Sequence, residues 1–143
     1  MINYSGTPTI ETDRLNLRRL ELTDAQSVFD NWLSDERVTD NLIKGAHKTV
    51  SETIERVAGI VSEYGSEKFC YWGIQLKASG ELIGAIDFFN FDSATENCEE
   101  GYSLGYERWN QRYATESWKS VIEFGCRHMN IHKISAAHNL DNA

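Results

Sequence analysis

GYSLGYERWNQRYATE, residues 101–116, is the stretch that decides the fold. It opens as a short strand, crosses a tight polar connection and enters a helix. A junction of this kind suits an anion. The first helical turn has N–H groups with no intrahelical partner and carries the positive end of the helix dipole, so a phosphate can be held largely by backbone. A small residue at such a turn lets a ligand approach the main chain, and Ala114 supplies one. Many α/β proteins place a polar loop before a helix, so the junction alone does not name the ligand.

Downstream of the junction, Ala114, Trp118, Val121, Ile122, Gly125 and Met129 recur on one face of a helix. A short strand over residues 131–138 follows. Upstream, residues 69–77 (FCYWGIQLK) and 81–90 (ELIGAIDFFN) flank a turn at Ala78-Ser79-Gly80 and form a hairpin, with a further strand over residues 98–105. Before these lie two helices. Thr23 with Gln26 makes a capping-box pattern ahead of the stripe Ala25, Val28, Phe29, Trp32 and Leu33. Thr49 with Glu52 does the same ahead of Val50, Ile54, Val57, Ala58, Val61 and Tyr64, and Gly65 ends that helix. The alternating run over residues 15–20 (LNLRRL) is the first strand. The order is β-α-α-β-β-β-α-β, an α+β arrangement without repeat or linker, read as one domain over residues 1–143.

Composition narrows the function. With 143 residues, 41% hydrophobic and 25% charged, one compact core is expected. A net charge of -8 disfavours a nucleic-acid partner, which is usually gripped by clustered Lys and Arg. Acidity suits a cationic acceptor, although it also simply keeps a protein soluble. Cys70, Cys98 and Cys126 are odd in number and contain no C-x-x-C pair, so neither a disulfide framework nor a zinc site is indicated. With no apolar leader and no run long enough to span a bilayer, the expectation is a cytoplasmic protein without a membrane partner.

Taken together, four segments resemble the RimJ/RimL-like, ribosomal-protein N-terminal type of the GNAT N-acetyltransferases. The opening ETDRLNLRRLELTDA is similar to that family's E-T-x-R-L-x-L-R start. W-x-I-x-L-K-x-x-G-E-L-I-G resembles its middle hairpin. G-Y-x-L-G-x-x-x-W-N-Q-x-Y-A-T-E resembles its acetyl-CoA motif, and H-K-I-x-A the strand after it. The resemblance runs in register from Glu11 to Ala143. It implies the GNAT fold, a mixed and mostly antiparallel central sheet flanked by helices. It also implies acetyl-CoA as co-substrate, no metal, and an amine-bearing acceptor such as a protein N-terminus or a small molecule. Ser103, Leu104 and Gly105 would bind the acetyl carbonyl and pantetheine amides through backbone. Asn110, Gln111, Arg112, Tyr113, Ala114 and Thr115 would cradle the pyrophosphate, and Asn142 would sit near the pantetheine arm.

Two departures matter. The family has glycine where this chain has Arg112. If φ there is positive, arginine costs about 1 kcal/mol; if φ is ordinary, the guanidinium adds a charge-assisted contact to phosphate. Second, the sequence ends at Asn142-Ala143, inside the family's D-N-x-x-S motif, so the C-terminal helix, its thiolate-protonating hydroxyl and the last strand are expected to be missing. A truncated gene product is the favoured reading, and the sheet edge left behind would invite a homodimer.

Amine acetylation needs a base and donors for the developing oxyanion. In CEEGYSLG, Glu99, Gly101 and Ser103 share one face, and Glu100, Tyr102 and Leu104 the other. Glu99 lies where the family has a glutamate two residues before Gly-Tyr, and is the chosen general base, working through water. Tyr102 and Trp109 are candidates for the acceptor pocket, whereas Trp32, Trp72 and Trp118 read as core. The resemblance implies that residues 35–44 border the acceptor groove, where Asp35, Glu36 and Asp40 would attract a cationic amine; the other reading is a solvated loop. His132 and His138 are weaker candidates for proton transfer. The alternative function is a non-catalytic module that binds CoA or a protein partner.

Overall fold

The computed structural model describes residues 1–39 and 45–136. They form a six-stranded sheet in the order β1 (Ile10–Glu11), β2 (Leu15–Arg18), β3 (Cys70–Leu76), β4 (Leu82–Asp92), β5 (Asn97–Leu104) and β6 (Lys133–Ala136). Successive strands pair antiparallel as far as β5; short turns join β1 to β2, β3 to β4 and β4 to β5, whereas the helices between Arg18 and Cys70 separate β2 from β3. β6 joins β5 in parallel. Between those two strands runs the helix α4 (Tyr113–His128), the long crossover that parallel pairing requires.

Helices cover both faces of the sheet, which is why β4 reads as an almost unbroken apolar run from Leu82 to Ile86. Val121 of α4 and Met129 at its end pack in one core with Leu15, Leu17, Trp72, Ile74, Ile86 and Phe88 of the sheet. The opposite face is covered by α1 (Ala25–Val28), whose path continues through a wider turn at Phe29–Leu33, by α2 (Glu36–Thr39), and by α3 (Val50–Glu63). There Leu20, Ala25, Val28, Trp32, Val57, Ile60 and Ala85 form a second core.

The element order stands as read, with β1 and α2 added, but several local details shift. The first cap lies upstream of Thr23: Asp24 accepts the backbone N–H of Glu21 at 2.7 Å, because a carboxylate at the end of the 3-10 turn Leu22–Asp24 reaches back over it. Thr49 is the N-cap residue of α3, while Glu52 accepts from the Lys48 N–H at 2.9 Å. On α3 the buried positions are Thr53, Val57 and Ile60, and Ile54 is exposed. On α4, Ser117 is wholly buried and Trp118 is 38% exposed, so Trp118 is not core. Both small polar residues satisfy themselves locally: the Ser117 hydroxyl donates to the Tyr113 carbonyl at 2.9 Å, and Thr53 pairs with His47 at 2.7 Å. Once its hydroxyl is bonded, a small side chain can occupy the tight slot against the sheet and an indole cannot.

Candidate functional site

Strand β5 ends at Leu104, and the chain turns through Gly105 and a 3-10 turn at Tyr106–Arg108 before α4 begins. Gly105 is required by close approach, since a Cβ there would stand 2.8 Å from the Asn31 carbonyl oxygen. Side chains hold the loop from behind. The Trp109 indole donates to the Leu104 carbonyl at 2.8 Å, and Gln111 to the Glu107 carbonyl at 2.6 Å. Arg14 bonds Glu116 at 2.7 Å and the Gln111 carbonyl at 3.2 Å, and its guanidinium lies 4.2 Å above the Tyr113 ring. Ala114 is buried, whereas Asn110, Gln111, Arg112 and Thr115 face outward at the helix start.

Arg112 has φ 66° and Asn110 φ 63°, both left-handed. Of the two alternatives for Arg112, the strained backbone is the one found. Arg112→Gly is therefore expected to raise unfolding stability by about 1 kcal/mol in denaturant titration. Unchanged or lower stability would contradict the strain.

The register of β4 with β5 sorts the carboxylates. Glu99, Gly101 and Ser103 stand opposite Phe89, Asp87 and Ala85, on the face covered by α1 and α3. Glu100 and Leu104 stand opposite Phe88 and Gly84, on the α4 face. Glu99 is half-buried and accepts from the Asn90 amide at 2.6 Å. Glu100 is wholly buried, and burial pushes its carboxyl up to about 8, with the Asp87 charge adding to the rise.

Asp87 is the residue that sequence reading missed. It lines a cavity of about 230 Å³ together with Trp32, Leu33, Arg56, Tyr71, Ala85, Phe89, Gly101, Tyr102 and Ser103. Burial pushes the Asp87 carboxyl up to about 7, against the pull of Arg56 and of a hydrogen bond from the Gly101 backbone. The absence of a side chain at Gly101 keeps this wall open, for a Cβ there would lie 3.2 Å from Asp87 Oδ1. The sequence did carry a signal: Asp87 is the single charge in the apolar run LIGAIDFFNF.

Other expected residues fall elsewhere. Asp35 is engaged by Arg37 through contacts down to 2.6 Å, which hold its carboxyl below the usual range, so it is not free to attract an amine. Glu36 is exposed. Trp109 does not line the 230 Å³ cavity; Tyr102 borders it, but stands opposite Ile86 and packs against the core on the α4 face. His132 is exposed beside Glu96 at 3.6 Å. Asp40, His138 and Asn142 lie outside the described residues. Among the described residues, no group of three or more His, Cys, Asp or Glu is arranged to hold a metal, and no helix is long and apolar enough to cross a membrane.

Comparison with known proteins agrees with this architecture. A family model described as an acetyltransferase (GNAT) domain matches residues 14–143. The uncharacterized N-acetyltransferase YoaA of Bacillus subtilis is 29% identical over 135 residues, covering 94% of this chain and 76% of YoaA. Among solved structures, a GNAT-family acetyltransferase from Bacillus anthracis superposes with a TM-score of 0.79 at 24% identity, covering 94% of this chain and 76% of that one. The ribosomal-protein-S5-alanine acetyltransferase from Vibrio fischeri gives 0.74 at 16% identity, covering 90% and 73%. The chain belongs to the GNAT acetyltransferase family.

Proposed function

We propose that this protein moves the acetyl group of acetyl-CoA to a primary amine and is of the RimJ/RimL-like type. The observation that carries the reading is the cavity against β4 and β5, which brings a half-buried carboxylate within one strand pair of the β5–α4 junction. Family membership supports acetyl-CoA as co-substrate, and the opening and hairpin motifs support the subtype.

In this reading the outward-facing start of α4, from Asn110 to Thr115, receives the pyrophosphate through backbone N–H groups and the helix dipole. Adjacent residues of a strand direct their N–H groups to opposite edges. Gly105 gives its N–H to the Ile83 carbonyl at 2.8 Å, which turns that of Leu104 away from β4. Leu104 is accordingly the backbone donor for the acetyl carbonyl, with Ser103 lining the cavity below it.

The amine nitrogen attacks the thioester carbon, the C–S bond breaks, and CoA leaves as the thiolate, which takes its proton from solvent. The proton lost by the amine passes to Asp87, which lines the cavity. Glu99, on the same face one rung further along the ladder, relays it outward through water. Isothermal titration with acetyl-CoA tests the first half of this reading. A saturable heat is expected, and none from folded protein would overturn it.

A further inference from the structure

We propose that the cavity against β4 and β5 takes a small acceptor carrying an amine and a carboxylate together, a free α-amino acid, with Asp87 facing the amine and Arg56 binding the carboxylate. The proposal rests on the acetyl-transfer reading and narrows its acceptor.

The cavity has one acidic wall and one basic wall, and the two interact across it without forming a direct ion pair. Among the described residues, Arg14, Arg18, Arg37, Arg108 and Arg127 each pair with a carboxylate. Neither Arg56 nor Asp87 appears in any ion pair among those residues. Glu52, one helical turn before Arg56 on α3, is the natural i,i+4 partner, but its carboxylate accepts from the Lys48 N–H at 2.9 Å instead. The Arg56 guanidinium turns toward the sheet, 5.9 Å from the centre of the Tyr71 ring. Tyr71 stands directly opposite Asp87 in the β3–β4 ladder, so guanidinium, ring and carboxylate succeed one another along a single wall.

Trp32 and Phe89 complete a largely apolar lining. Asp87 is half-buried at the floor of the cavity while Arg56 is exposed at its rim, so the carboxylate is the more shielded of the two charges and the guanidinium is open to an incoming ligand. The groups that face Asp87 from its neighbours are Arg56 on α3, Tyr71 on β3 and the Gly101 backbone on β5.

Size and charge select among amines. A volume of about 230 Å³ lies below the ~300–1,000 Å³ of pockets built for drug-sized ligands and matches a single amino acid. A polyamine would set a second ammonium against Arg56. An amino-acid amide would fill the same space but offer the guanidinium only a neutral oxygen, and a charge-assisted bidentate pair is the stronger contact.

The test is thiol release at saturating acetyl-CoA with alanine, methionine and phenylalanine, with their carboxamides, and with spermidine. For at least one amino acid, kcat/KM is expected to exceed that of its carboxamide by about 10–100-fold. Because Arg56 also pulls the Asp87 carboxyl down, Arg56→Gln is expected to slow every substrate, so the readout is the acid-to-carboxamide ratio within each protein: Arg56→Gln should bring it close to one, and Arg56→Lys should restore part of it. Equal or faster turnover of carboxamides or spermidine would overturn the proposal, as would an undiminished preference in folded Arg56→Gln. If no amine releases CoA, the acetyl-transfer reading fails, and the same pairs are compared by calorimetric titration in the presence of CoA. A free-acid preference lost in Arg56→Gln would then sustain the assigned ligand, and no preference would sink it.

Discussion

Asp87→Asn is expected to lower kcat/KM for acetyl transfer at pH 7 by about 10²–10⁴-fold, the usual contribution of a positioned general base. Asparagine keeps the size of the side chain and its acceptor oxygen toward Gly101 while removing the proton-accepting oxygen, so acetyl-CoA binding should persist. The pH profile carries the sharper signature. A base works only when ionised, and burial has pushed Asp87 up to about 7. The wild-type rate should therefore climb through pH 7, where an ordinary carboxylate would already have levelled off. That acidic limb should vanish from the residual activity of Asp87→Asn. A profile unaltered by the substitution would remove Asp87 from the proton path and leave Glu99 as the carboxylate to test.

The second large effect concerns stability. Glu100 is wholly buried on the α4 face with its carboxyl raised to about 8. The folded protein thus keeps a proton there that the unfolded chain gives up near pH 4.5. Its contribution is fully present below the unfolded value and is lost as pH rises toward about 8, so unfolding free energy should fall between these limits. Asp87 acts with the same sign over a window that closes near 7. For Glu100 the loss over the whole window is on the order of 5 kcal/mol. Denaturant melts at pH 5 and pH 8 should show Glu100→Gln flattening this decline and exceeding the wild type at pH 8. An unchanged slope would show that Glu100 does not titrate in that range.

The junction over residues 101–116 was legible because two local signals coincide there: the period-2 alternation of CEEGYSLG and the start of a period-3.6 stripe at Ala114. Periodicity places a stripe only to within about a residue. On α4 the deepest slot went to Ser117, small and internally bonded, and Trp118 was left at the rim. Arg112 was recognised as anomalous from the motif, but only the backbone showed which of its two outcomes held.

The cavity was not legible, for a physical reason. Asp87 stands out within its apolar strand, yet its meaning depends on Arg56 from a helix, Tyr71 from the preceding strand and the bare Gly101 from the next. Those neighbours are brought together by sheet register and helix packing, which no local pattern encodes. Choosing between the adjacent glutamates had the same difficulty. Alternation sent Glu99 and Glu100 to opposite faces, and only packing showed that one meets Asn90 at the surface while the other lies sealed in the core.

The most direct test of acetyl transfer at this cavity is the release of CoA thiol from acetyl-CoA with and without a primary amine, measured in parallel for the wild type and folded Asp87→Asn. The account predicts amine-dependent release, with one acetylated amine per thiol, that nearly disappears in the variant. Release that is independent of the amine, or equal in the two proteins, would contradict it.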